Sequence, residues 1–165
     1  FGYRRQRQMC IRDRPYGAMD MVDTERYARH ISLPDVGITG QKLIDDSRVL
    51  VVGAGGLGSP VLMYLAAAGI GHIGVVDDDV VDLSNLQRQI IHSESAIGRP
   101  KVESAKERIN SINSAIKVTT WNARLSPDNA EEILCDWDIV IDGTDNIPTR
   151  YLVDDVCNLL SLIHI

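Results

Sequence analysis

Cysteine is scarce in this chain. Cys10, Cys135 and Cys157 are an odd number without C-x-x-C spacing, so the sequence signals neither a disulfide framework nor a zinc site. The thiols read as the reduced ones of a cytoplasmic protein. Positive charge is also short: 17 Lys and Arg face 23 Asp and Glu, a net charge of −6. Such an acidic domain is a poor ligand for nucleic acid or anionic lipid. No apolar run approaches the roughly 18 residues that cross a bilayer. What remains is an ordinary soluble composition, 44% apolar and 24% charged over 165 residues, enough for one domain with its own core.

The few basic residues are unevenly placed. Arg4, Arg5, Arg7, Arg12 and Arg14 crowd the start beside a single acid, Asp13. No apolar stretch follows to make a secretory signal. A basic arm for nucleic acid is the usual reading of such a run. Here Arg7–Arg14 and Leu160–Ile165 instead resemble translated adapter read-through. Residues 1–20 are therefore expected to be a non-native or disordered extension, and 160–165 a non-native tail.

From Asp23 the pattern turns regular. A short helix is expected from Asp23 to about His30, closed by Pro34, and another over Gln41–Asp46. Arg48–Val52, His72–Val76 and Asp138–Ile141 are unbroken apolar runs, the mark of strands buried on both faces. Ile116–Thr120 is strand-like as well. Helices are expected over Val61–Ala68, Lys101–Asn113, from a Ser126-Pro127-Asp128 cap to about Leu134, and over Thr149–Leu160. This alternation predicts a Rossmann-like α/β domain. Its sheet is mostly parallel, with helices on both faces and short helices in front. Ligands of such sheets sit beyond the carboxyl ends of the strands.

Three motifs fall at those ends. Gly53, Gly55, Gly56 and Gly58 form G-x-G-x-x-G between the first strand and the next helix, where backbone N–H groups can cradle phosphate. Asp77 ends the second strand 19 residues later, placed for a ribose hydroxyl, while Asp78 and Asp79 read as a solvated turn. Beyond it, Ser84-Asn85-Leu86-Gln87-Arg88-Gln89 puts Asn85 and Arg88 on one side of a helical turn. Lys101 opens a helix, where a cation opposes the macrodipole. Two added cations near a phosphate loop suit a triphosphate better than a dinucleotide. After the third apolar run, Asp145 can hold Mg²⁺, or with Asn146 cap the next helix.

Taken together, G-x-G-G-x-G, D-x-D, S-N-L-Q-R-Q, G-x-P-K-V-E and G-T-D-N resemble the MoeB/ThiF/HesA family, bacterial relatives of ubiquitin-activating enzymes. The resemblance runs from about Arg26 to Asn158. It implies ATP-dependent adenylation of the C-terminal Gly-Gly carboxylate of a ubiquitin-like sulfur carrier, of molybdopterin or thiamine type. Residues 21–159 would be the ATP-binding adenylation domain. The same resemblance has Gly56 and its neighbours face the nucleotide, Asp77 bind ribose, Asn85, Arg88 and Lys101 contact phosphates, and Asp145 hold Mg²⁺. It also has Arg29 donated across a homodimer. Family members continue further, with a reactive cysteine and often zinc-binding C-x-x-C pairs that nothing here matches, so this piece alone is expected to bind nucleotide but to be inactive.

Cys135 and Cys157 are expected to be packed in helices, and His30, His72, His92 and His164 to be structural. Two competing functions remain: an NAD-dependent oxidoreductase, resting on the glycine turn and Asp77, and a non-catalytic, nucleotide-gated module that docks a ubiquitin-like partner. The related tRNA threonylcarbamoyladenosine dehydratase shares the adenylation logic, but S-N-L-Q-R-Q fits the sulfur-carrier branch better.

Overall fold

A computed structural model describes residues 22–165; the arginine-rich start and Cys10 lie outside the described residues. The chain forms five parallel strands in the order β3-β2-β1-β4-β5. These are β1 (Arg48–Val52), β2 (His72–Val76), β3 (Lys117–Trp121), β4 (Ile139–Asp142) and β5 (Ile163–His164). The helices are α1 (Ala28–Ile31), α2 (Gly37–Asp45), α3 (Gly58–Ala68), α4 (Lys101–Ile112), α5 (Ala130–Leu134) and α6 (Ile147–Leu160). The Rossmann-like reading is correct, including the short helices in front. Strand β5 falls inside the tail that the sequence sets apart.

Each face of the sheet has its own core. On one side Val49, Val51, Ile73 and Val75 pack under Leu62 and Ala66 of α3 and Val102, Ala105 and Ile109 of α4. On the other, Leu50, Val52 and Val140 meet Trp137, α5 and α6. That division explains why β1 and β2 read as unbroken apolar runs: both of their faces are covered. Strand β3 is half-buried along its apolar positions, as an edge strand should be. Beyond α3 on the first face, Ile139 and Ile141 are only partly buried, and Ile163 and Ile165 are 58% and 68% exposed.

Several boundaries differ from expectation. Helix α3 begins at Gly58, inside the glycine motif, and α2 begins at Gly37. Helix α5 does not start from a Ser126-Pro127-Asp128 cap. Asn129 occupies the N-cap position, and its side chain is spent on the preceding turn, accepting from Ser126 N and donating to Arg124 O. The helix ends at Leu134 as expected, but Cys135, its C-cap, is exposed and not packed; Cys157 is buried as expected. Among the described residues, no helix is long and apolar enough to cross a membrane.

Candidate functional site

The carboxyl ends of β1, β2 and β4 open into a cleft of about 760 Å³. Three loops that follow these strands supply most of its lining, and the loop after β3 adds Ala123–Leu125. In the first, β1 runs into Gly53, whose φ of +96° places it in the left-handed region, where glycine is favoured. The turn then enters α3 at Gly58. A Cβ on Gly58 would collide with the Gly53 carbonyl, so the helix can approach its own strand this closely only without a side chain there. The first N–H groups of α3 therefore sit over the strand end, where a phosphate would lie.

The second loop follows β2. Asp77 accepts from Ala54 N at 2.7 Å and from Asp79 N at 2.9 Å, so one carboxylate shapes both the glycine turn and its own loop. Burial pushes its pKa up, against those two N–H groups and the nearby Lys101 charge. From Asp79 the chain runs antiparallel to 98–101, with Lys101 N on Asp79 O, Val81 N on Arg99 O and a Val80–Pro100 bridge. This pairing brings the first residue of α4 into the cleft. The Lys101 side chain is only 5% exposed, and its Nζ lies 2.7 Å from Asp79 Oδ2. Asp79 thus makes a specific ion pair where a solvated turn was expected. An ammonium has three donors, so two remain for a ligand.

Between these segments, Asp82 caps a short 3-10 turn over Leu83–Asn85 by accepting from Ser84 N. The next turn carries Arg88, whose Nη1 reaches Ser84 O at 3.4 Å and whose Cδ and Cγ lie beside Gly56. Asn85 and Arg88 share the cleft with Lys101. The third loop follows β4, where Asp142 accepts from Thr144 N and Oγ1 and Arg150 binds Thr144 O. Asn146 caps α6 through Thr149 N. That leaves Asp145 exposed and lining the cleft.

Of the residues singled out from sequence, Gly53, Gly55, Gly56, Asp77, Asn85, Arg88, Lys101 and Asp145 line this one cleft. Gly58 and Ser84 do not; one packs helix on strand and the other supports Arg88. Arg29 is elsewhere. Tyr27, next to α1, receives a bond from Asn113 at the end of α4, and His30 is tied through Gln41 to Ala68 at the end of α3. Helix α1 therefore sits at the amino ends of the strands, the length of α3 (~16 Å) from the glycine turn.

Sequence reasoning missed Gln89, Arg124 and Thr144, which also line the cleft. Gln89 is 5% exposed, and its Oε1 is buried without a hydrogen-bond partner. Its only sequence signal was membership of the S-N-L-Q-R-Q segment. As for a divalent cation, carboxylate oxygens of Asp77, Asp78 and Asp79 lie within 4.8 Å of one another. Asp77 and Asp79 are already engaged by N–H groups and Lys101. Among the described residues, Asp78 and Asp145 are the cleft carboxylates with no hydrogen bond, which fits the oxygen-only preference of Mg²⁺.

A family model described as the ThiF family matches residues 27–165. The adenylyltransferase and sulfurtransferase MOCS3-1 of Zea mays is 51% identical over 147 residues, 89% of this chain and 31% of its own length. The SAMP-activating enzyme E1 of Haloferax volcanii is 46% identical over 149 residues, 89% of this chain and 55% of its own. Among solved structures, the E. coli tRNA N6-threonylcarbamoyladenosine dehydratase TcdA in complex with ATP superposes with a TM-score of 0.82 at 29% identity. The match covers 89% of this chain and 60% of that one. The chain spans between 29% and 55% of the length of the curated relatives it matches. With the family model covering all but its first 26 residues, the chain belongs to the ThiF family.

Proposed function

We propose that this chain is the nucleotide-binding part of an adenylyltransferase that activates the C-terminal Gly-Gly carboxylate of a ubiquitin-like sulfur-carrier protein with ATP. One observation carries the reading: Arg88 and Lys101, brought in by different segments, line the same cleft as the glycine turn. The names of the relatives support it, since MOCS3-1 is an adenylyltransferase and the archaeal relative an activating enzyme.

The chemistry needs no protein nucleophile. The carrier carboxylate attacks the α-phosphorus of ATP, a new O–P bond forms, and the bond to the β-phosphate oxygen breaks to release pyrophosphate. The protein's task is to hold the partners in line and neutralise the departing charge. Helix N–H groups above Gly53–Gly56 bind phosphate, and Asn85 adds a donor. Arg88 and the two spare donors of Lys101 take the growing negative charge on pyrophosphate. Asp77 keeps lone pairs beyond its two backbone bonds for the ribose hydroxyls. Asp145 would hold Mg²⁺, which neutralises phosphate charge when bound. Arg29, on the far side from its own cleft, would serve the site of a second copy in a homodimer. The protein would work in the cytoplasm.

An NAD-linked oxidoreductase would use the glycine turn and Asp77 but has no use for a buried lysine beside the phosphates. Isothermal titration of the chain separates the two: ATP with Mg²⁺ should bind and NAD should not, and the reverse result overturns the proposal. For the reaction itself, pyrophosphate exchange should depend on a carrier ending in Gly-Gly, in a chain carried to the length of the relatives. Nucleotide binding without such exchange would favour a docking module.

A further inference from the structure

Ala54 is fully buried in the glycine turn, and both of its backbone groups are tied. Its N–H donates to Asp77, and its carbonyl lies 3.0 Å from Nε2 of His92. A carbonyl can only accept, so His92 carries its proton on Nε2. The bare Nδ1 then accepts from the Ser104 hydroxyl, 2.9 Å away on α4. Burial, followed by the Lys101 charge, lowers the His92 pKa, while the Ala54 carbonyl and Asp77 oppose the shift; the ring is therefore neutral at pH 7.

These bonds close a circuit. Ser104 and Lys101 lie three residues apart on one side of α4. Lys101 holds Asp79, Asp79 N–H binds Asp77, Asp77 holds Ala54 N–H, and Ala54 O returns through His92 to Ser104. The glycine turn and the helix bearing the buried cation are thus fixed to each other from both sides of one residue. His92 itself is 8% exposed and takes no part in lining the cleft.

We propose that His92 is a positioning residue for nucleotide binding, setting the glycine turn against the Lys101 helix through the Ala54 carbonyl. The binding consequence rests on the proposed function; the effect on the turn does not. An ångström of misplacement in such a site is costly, and a packing role alone would leave the turn's N–H groups where they are.

The test uses His92→Phe, which keeps a ring without a donor, and His92→Gln, whose Nε2 can still reach Ala54 O. Two readouts are needed: the Kd for ATP with Mg²⁺, and hydrogen exchange of the Gly55, Gly56 and Leu57 amides without nucleotide, set against global stability in urea. With an orphaned buried carbonyl in His92→Phe, ATP should bind on the order of 10-fold more weakly. The three amides should also exchange faster than the loss of global stability explains, and His92→Gln should restore both. Ser104→Ala, a gentler change if the Phe variant does not fold, should shift both readouts the same way by about threefold. The proposal is overturned if the amides of the turn change only in step with global stability. It is equally overturned if Gln rescues no better than Phe. A wild-type chain that binds no ATP would end the proposed function, and the exchange comparison would still decide this one.

Discussion

The two ends of the sheet treat polar groups differently. At the amino ends of the strands, side chains pair off among themselves. Gln41, fully buried, joins His30 to Ala68 O; Asn113 joins Tyr27 to the last turn of α3; His72 bonds Thr119. Even Arg48, whose Nε is buried without a hydrogen bond, lies over the Trp137 ring at 5.7 Å. At the carboxyl ends, bonding capacity is left over: two donors on Lys101, Gln89 Oε1, and the carboxylates of Asp78 and Asp145. Asp78 and Asp145 are exposed to solvent, but leaving the buried Lys101 donors and Gln89 Oε1 unmet costs stability unless something binds there. One end therefore holds the fold together, and the other is held ready for a charged ligand.

Substitutions should split accordingly. The largest effect is expected for Arg88→Ala, on the binding end. In a chain carried to the length of the relatives, losing the cation proposed to neutralise departing phosphate should cost on the order of 10³-fold in adenylation rate. The side chain is exposed, so urea unfolding should stay within about 0.5 kcal/mol; an unchanged rate would remove Arg88 from the phosphate site. At the opposite end, a Cβ on Gly71 would strike the Asp45 carbonyl. Gly71→Ala should therefore cost about 3 kcal/mol of stability while the folded fraction binds ATP normally. Weakened ATP binding at full stability would break the division between the ends. Gln41→Leu is smaller. It strips partners from Ala68 O and the His30 ring, costing about 2 kcal/mol in urea unfolding with no change in nucleotide Kd.

Much of the architecture was legible because β1, β2 and β4 are apolar throughout and end directly in Gly or Asp. Strands β1 and β2 are covered on both faces, and β4, though only partly covered on one, is apolar on both, so none reads as an amphipathic strand. Lys101 was legible as a cation near the glycine turn, but not as a buried one. Its burial depends on the antiparallel pairing of 79–81 with 98–101, contacts that no local pattern announces. For the same reason Asp79 read as a solvated turn. Cys135 was misplaced because it is the C-cap one residue beyond the expected end of α5, on the side of the turn that faces solvent. His92 read as structural, and it is buried and bonded; its link to Ala54 crosses 38 residues and has no sequence signal.

The smallest expected effect is on pH dependence, and it also distinguishes the two ends. His72, at the start of β2, packs its ring 4.6 Å from that of Trp137. Burial, then the charges of Lys117 and Arg48, lower its pKa from 6.5 to about 4. Between those values the unfolded chain binds a proton that the folded chain refuses, so stability rises with pH across the window. Acidification from pH 6.5 towards 4 should therefore lower the urea midpoint. His92 shifts the same way, so the wild-type slope contains both residues. His72→Asn should flatten the slope, remove the Lys117 and Arg48 contribution, and leave ATP binding at pH 7 untouched. His92→Gln should flatten it as well while keeping the turn in place. A slope unchanged by either variant would mean that neither ring is held neutral by the fold, and that carboxylates alone set the acid limit.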